Sequence, residues 1–223
     1  MIGIFGGTFD PVHFGHLRPA LELAEALRLD EMRLLPAGRP PHRDPPVAPP
    51  EARRHMVELA IEPEPTLQLD DRELRRPGPS WMVDTLTELR AEVGDRPLLL
   101  VVGSDAVASL HHWHRWRELF RLAHLVVAGR PGWEPSPQAP AWAELEERRL
   151  ASAEALAERP AGGVLFRAVT PLEISSTAIR RLLAEGGNPR YLLPETVLQW
   201  IRRHRIYDRP GQPASGTAGQ EGR

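Results

Sequence analysis

The sequence predicts an α/β protein built on a doubly wound, mostly parallel sheet with helices on both faces. Three observations carry this. A short apolar run meets paired glycines and then an amphipathic helix at Ile2–Leu27, and a second strand-to-glycine-to-helix junction follows at Gly103. The segment Pro97–Val102, PLLLVV, is an uninterrupted apolar run bounded by turn residues, as a strand buried on both faces must be. Between them, strand-like runs alternate with helical periodicity, the pattern of a Rossmann-like parallel sheet.

In order, Ile2–Phe5 is the first strand, GGTFDPVHFGHL (Gly6–Leu17) a turn, and Gly15–Leu29 a helix whose apolar residues recur three and four apart. Pro19 falls in its first turn or just beyond, where proline is tolerated. Met32–Leu35 is the second strand and completes a βαβ unit. Residues 36–50, PAGRPPHRDPPVAPP, are too proline-rich for helix or central strand. They leave the C-terminal end of a parallel strand, so a substrate-contacting loop is preferred to an inert linker.

Pro50–Ile61 reads as a helix, Thr66–Leu69 as a strand, and the charged residues of Asp70–Arg76 as a solvated loop. Ser80 is the expected N-cap of a helix over Trp81–Val93. Beyond the strand at 97–102, Ala106–Leu110 is helical. If the following HHWHRWRELF is helical too, Trp113 and Trp116 share a face and at least one belongs to the core. His124–Ala128 is a buried strand, residues 133–162 combine loop with a polar helix, and Val164–Val169 is a further strand. ISSTAIR, from Ile174, opens a helix to about Glu185, ended by Gly186-Gly187, and a last helix spans Pro194–Arg203. The expected organisation is one domain over 1–208 and a flexible tail over 209–223, rich in Pro, Gly and Ser.

Composition narrows the chemistry. With 223 residues, 41% of them apolar, the chain can bury a substantial core. A net charge of −2 gives no reason to expect nucleic-acid or membrane-surface binding. All 28 basic residues are arginine, so Schiff-base and P-loop lysine chemistry is excluded and any phosphate clamp is built from Arg and His. No cysteine is present, which removes disulfides, thiol nucleophiles and Cys-based zinc sites. No run reaches the ~18–20 apolar residues of a membrane span, and no basic segment precedes the first strand. A cytoplasmic protein is expected.

The turn then points to nucleotide chemistry. Nucleotidyl transfer needs reactants held in line and phosphate charge neutralised. His13 and His16 at a helix N-terminus can donate to an α-phosphate and to a pyrophosphate leaving group. Ser175, Ser176 and Thr177 could simply cap their helix. Arg180, four residues after Ser176, turns the segment into a plausible polyphosphate cradle. Zinc held by the two histidines with Asp10 or Asp105 is the competing chemistry, but it leaves the glycines and ISST unexplained. His111, His112 and His114 lack a carboxylate at ligand spacing, and no protein-held metal site is assigned.

With these pieces assembled, Met1 to about Tyr207 resembles the bacterial nicotinate-nucleotide adenylyltransferases of the HxGH nucleotidyltransferase superfamily. The resemblance rests on GGTFDPVHFGHL, PAGRPPHR, PSWMVDTL, GSDAVASLHHW, AGRPG, ISSTAIR and LLPETVLQWIRRHRIY. It implies transfer of AMP from ATP to nicotinate mononucleotide with Mg2+. His13 and His16 would then bind the ATP phosphates and stabilise the transition state. Gly7, Thr8 and Phe9 would supply backbone contacts, Ser176 and Arg180 would hold the triphosphate, and Gly103, Asp105 and Ile174 would lie near the adenosine. Thr85 would meet the pyridine carboxylate through hydroxyl and backbone, Trp113 would stack on the pyridine with His114 beside it, and His42, Arg43 and Arg130 would face phosphate. Trp81-Met82 stand where the family often has Tyr-Thr, His114 where Tyr is common, and Gly129 where a larger residue is frequent. Nicotinamide mononucleotide as acceptor, or a non-catalytic nucleotide-binding module, are the alternatives. Phosphopantetheine fits the DTL and HHW segments poorly, and a tRNA synthetase fragment would need a KMSKS-like lysine loop. A homo-oligomer is left open.

Overall fold

The computed structural model describes residues 1–40, 44–133 and 136–208. Six strands form one sheet: β1 (Ile2–Gly7), β2 (Glu31–Pro36), β3 (Leu67–Leu69), β4 (Leu98–Gly103), β5 (His124–Gly129) and β6 (Val164–Ala168). Their order is β3-β2-β1-β4-β5-β6, and every pairing is parallel.

The continuous apolar run of β4 is explained by the pleat, which turns alternate residues to opposite faces. Leu99 and Val101 enter one core cluster, and Leu98, Leu100 and Val102 enter the other. The first cluster is covered by α1 (Phe14–Ala26), α2 (Pro50–Ile61), α8 (Ser176–Ala184) and α9 (Glu195–His204). The second is covered by α4 (Met82–Val93), α5 (Ser104–Ser109), α6 (Leu119–Leu122) and α7 (Trp142–Glu147). Helices therefore lie on both faces, as doubly wound topology requires. From β1 the chain adds strands outward to β3, then returns to pair β4 on the other side of β1. The reversal lies between β1 and β4, which end at Gly7 and Gly103, and open parallel sheets bind ligands in the crevice at that point.

Several local expectations change. Residues Asp70–Arg76 are not simply solvated: they contain α3 (Arg72–Arg75), and Asp70 and Glu73 are buried. Burial is tolerated because each carboxylate is partnered, Asp70 by Arg72 Nε at 2.8 Å and Glu73 by the Thr85 hydroxyl at 2.6 Å. Ser80 does not cap α4, which begins after Trp81. Its hydroxyl instead accepts the backbone N–H groups of Gly38 and Arg39 at 2.9 and 3.1 Å, tying down the segment after β2.

Trp113 and Trp116 do not share a helix. Two 3₁₀ turns, Leu110–His112 and Trp116–Glu118, are separated by Arg115 in the left-handed region, so Trp116 enters the core while Trp113 stays half-buried. Pro19 is the sixth residue of α1, beyond its first turn, and α1 ends at Ala26 because Arg28 is left-handed (φ 50°). In the segment after β5, α7 and a 3₁₀ turn at Glu154–Glu158 each bury one leucine, Leu145 and Leu156. The tail expected over 209–223 lies outside the described residues. No helix among the described residues is long and apolar enough to cross a membrane.

Candidate active site

The turn after β1 is built for close approach. Phe9 sits in the left-handed region (φ 49°) with its ring fully buried. A Cβ on Gly7 would lie 2.8 Å from that ring, so glycine is the residue that lets the phenylalanine fold back beneath the turn. Non-glycine residues held at positive φ cluster at functional turns.

His13 is the N-cap residue of α1, and His16 lies in its first turn. The His13 N–H donates to His16 Nδ1 at 3.3 Å, which fixes that nitrogen as an acceptor and puts the neutral ring's proton on Nε2. The two imidazoles stack with centroids 3.7 Å apart and planes 28° from parallel, and Phe9 meets His16 edge-on at 5.0 Å. His13 is only 4% exposed, and its Nδ1 is buried with no hydrogen-bond partner. Burial pulls its pKa down to about 4. At neutral pH His13 is therefore an uncharged donor–acceptor rather than a cation. Gly15 explains the middle of HxGH: a Cβ there would lie 2.9 Å from His13 Nδ1 and 3.2 Å from the Ile174 carbonyl. The glycine admits the lead-in to α8 against the histidine.

From α8, Ser175 is the N-cap and accepts from the Ala178 N–H at 3.2 Å, whereas Ser176 and Arg180 reach the turn. The Ser176 hydroxyl donates to the Pro11 carbonyl at 2.9 Å, and Arg180 Nη1 donates to the Asp10 carbonyl at 2.6 Å. Ser176 and Arg180 therefore brace the backbone of the turn that carries the histidines. Ile174 is half-buried beside Gly15. Across the crevice, Gly103 ends β4 facing open space, and Asp105 is exposed in the first turn of α5.

Thr85 requires a correction. It has no exposed surface, and its hydroxyl donates to Glu73 and accepts from Arg76, so it is not free to meet a ligand directly. An aromatic shelf lies nearby instead. Trp81 and His114 pack with centroids 4.7 Å apart, and Trp113 rests half-buried on the second core. Met82 lies against Gly6, joining this shelf to the end of β1. Arg130 is exposed and pairs with Glu173 at 2.8 Å. His42 and Arg43 lie outside the described residues.

Asp10, Tyr207 and Arg53, none of which the sequence marked as a brace, support the turn. Asp10 accepts from the Val47 and Ala48 N–H groups at 2.8 and 3.0 Å and from the Tyr207 hydroxyl at 2.8 Å. Its oxygens are thereby committed to the fold. Among the described residues no group of three or more His, Cys, Asp or Glu is placed to hold a metal ion. Arg53, on α2, is fully buried and donates to the carbonyls of Thr8 and Ala37. Its signal was legible: it is a lone charge within the buried stripe Ala52, Met56, Val57 and Ile61.

Comparison with known proteins follows this geometry. The cytidylyltransferase-like family matches residues 4–182. A Methylococcus capsulatus protein named "Probable nicotinate-nucleotide adenylyltransferase" is 52% identical over 208 residues, spanning 93% of this chain and 99% of the relative. The chain belongs to the nicotinate-nucleotide adenylyltransferase family. A second member so named, from Halorhodospira halophila, is also 52% identical, over 90% of this chain and 92% of its own length. The fold is shared with the Plasmodium falciparum nicotinic acid mononucleotide adenylyltransferase, whose structure is described as complexed with NaAD. That likeness has a TM-score of 0.67 at 15% identity and covers 92% of this chain and 96% of that one. As a member of this adenylyltransferase family, the chain places its HxGH turn at the sheet's switch point.

Proposed function

We propose that this chain transfers the adenylyl group of ATP to nicotinate mononucleotide, forming nicotinate adenine dinucleotide and pyrophosphate for NAD synthesis. The observation that carries the reading is the stacked His13–His16 pair at the N-terminus of α1, braced by Ser176 and Arg180. The mononucleotide's phosphate oxygen attacks the α-phosphorus of ATP in line, and the bond to the departing pyrophosphate breaks. No covalent enzyme intermediate forms.

His16, with its proton on Nε2, and His13 donate to the phosphate oxygens as charge moves onto the leaving group. Gly7, Thr8 and Phe9 offer backbone to the phosphates, and Ser176 and Arg180 hold the triphosphate. Gly103, Asp105 and Ile174 border the adenosine. Trp113 stacks on the pyridine with His114 at its edge, while His42, Arg43 and Arg130 complete the phosphate side. Thr85 acts indirectly, fixing α4 and with it Trp81 and Met82. Mg2+ enters as part of the substrate, on the phosphates of ATP. The catalytic unit is residues 1–208, and its location is cytoplasmic.

A pyrophosphate-release assay with ATP, Mg2+ and either mononucleotide tests this. Release with nicotinate mononucleotide well above that with nicotinamide mononucleotide is expected. Equal turnover would remove the acid preference, and no release with either would overturn the activity.

A further inference from the structure

Among the described residues, Arg53 and Arg90 have only backbone carbonyls as guanidinium hydrogen-bond acceptors. Arg90, on α4, donates to the carbonyls of Leu122, Pro160, Gly94 and Arg96, all at the edge of the sheet away from the crevice. Arg53 does the same at the crevice. One nitrogen, Nη1, gives its two protons to Thr8 O at 2.8 Å and Ala37 O at 2.7 Å, and Nη2 reaches Gly38 O at 3.4 Å. Asp10 lies near enough to favour the buried charge, although Arg53 stays fully buried and its Nε has no partner.

The three carbonyls come from two segments. Thr8 is in the HxGH turn, and Ala37 and Gly38 leave β2 toward the loop at 36–50. In a planar trans peptide the next N–H points opposite to the carbonyl. The N–H groups following Ala37 and Gly38 meet the Ser80 hydroxyl. The N–H following Thr8, that of Phe9, is by the same geometry turned away from Arg53.

We propose that Arg53 is a positioning residue for adenylyl transfer: from behind the sheet edge, its planar fork sets the Thr8–Phe9 peptide and aligns it with the stem of the loop at 36–50. The inference rests on the function proposed above. The fork matters because two nitrogens in fixed positions span three carbonyls, Nη1 those of Thr8 and Ala37 and Nη2 that of Gly38. A lysine ammonium keeps the charge on a single nitrogen and cannot reproduce that span. Misplacing reacting groups by about 1 Å costs ~10²-fold in rate.

Arg53→Lys and Arg90→Lys, compared with the unmutated chain, give the test: kcat, both KM values and the thermal midpoint. Arg53→Lys is expected to lose ~10²-fold in kcat, with KM for ATP and mononucleotide moving less than threefold. Arg90→Lys is expected to lower the midpoint and keep kcat. A kcat for folded Arg53→Lys within twofold of the unmutated chain, or parallel losses in the two variants, would overturn the proposal. Should Arg53→Lys fail to fold, ¹⁵N-arginine spectra of the unmutated chain decide. Added α,β-methylene-ATP should shift the Arg53 Nη signals and leave those of Arg90 in place; an unmoved Arg53 would count against it. An unmutated chain that releases no pyrophosphate fails the functional reading instead, and the spectra still report whether Arg53 senses nucleotide.

Discussion

His13 and His124 are both buried imidazoles, and they differ in what their nitrogens touch. His124, with no exposed surface at the start of β5, uses both: Nε2 meets the Arg159 carbonyl at 2.8 Å and Nδ1 accepts from the Gly163 N–H at 2.9 Å. His13, at the opposite edge of the sheet, keeps a buried Nδ1 without a partner. An unsatisfied buried polar atom costs about 1–3 kcal/mol, so a fold selected only for stability would not retain it. The contrast separates a histidine whose two nitrogens are both committed to the fold from one whose Nδ1 is left unpaired.

The sharpest way to break this contrast is His16→Ala, which removes the ring stacked on His13. Pyrophosphate release should fall ~10²–10³-fold in kcat, the range for losing one charge-stabilising donor. A variant with near-full turnover would return the pair to a structural role. Next comes Gly15→Ala. The added methyl would crowd His13 Nδ1 and the Ile174 carbonyl, so kcat should drop by ~10²-fold while circular dichroism stays unchanged.

His124→Ala should do the reverse. It leaves the Gly163 N–H and the Arg159 carbonyl unpaired and costs about 1–3 kcal/mol, or ~2–4 °C in thermal midpoint per kcal/mol, with kcat at 25 °C intact. A loss of kcat in that variant, measured well below its midpoint, would erase the distinction.

The smallest effect is a pH slope. Burial lowers the folded pKa of both histidines, His13 to about 4 and His124 in the same direction. The unfolded chain, with histidines near ~6.5, then binds more protons in the acid range. Stability is complete above the unfolded value and declines as pH falls from there toward the folded one. Urea midpoints at neutral and mildly acid pH should show that decline, and His124→Gln should flatten it. A stability that rises on acidification would contradict both assignments.

What could be read in advance was whatever repeats along the chain or concentrates within a few residues. PLLLVV announces a strand with two buried faces, and α2 runs from Pro50 to Ile61 as its periodicity predicts. What could not be read depends on partners distant in sequence. Arg53 stands out as a charge on an apolar stripe, but nothing local says that it seeks the carbonyls of Thr8 and Ala37. Thr85 lies in a telling motif, yet its hydroxyl goes to Glu73, in a segment whose charges read as solvated until their partners are known. Ser80 looks like a cap and is a clasp on the segment after β2. Hydrogen bonds to backbone carry no residue code, so the braces of this site were harder to foresee than its chemistry.

The hydrogen bond from Tyr207 to Asp10 joins residues 197 positions apart. During translation Asp10 is made 197 residues before the hydroxyl that anchors it. A nascent chain can pair its strands while it grows, but its phosphate turn acquires this anchor only when α9 and Tyr207 arrive. Termination before Tyr207 would therefore leave the turn without this anchor even though every residue of the turn itself had been made.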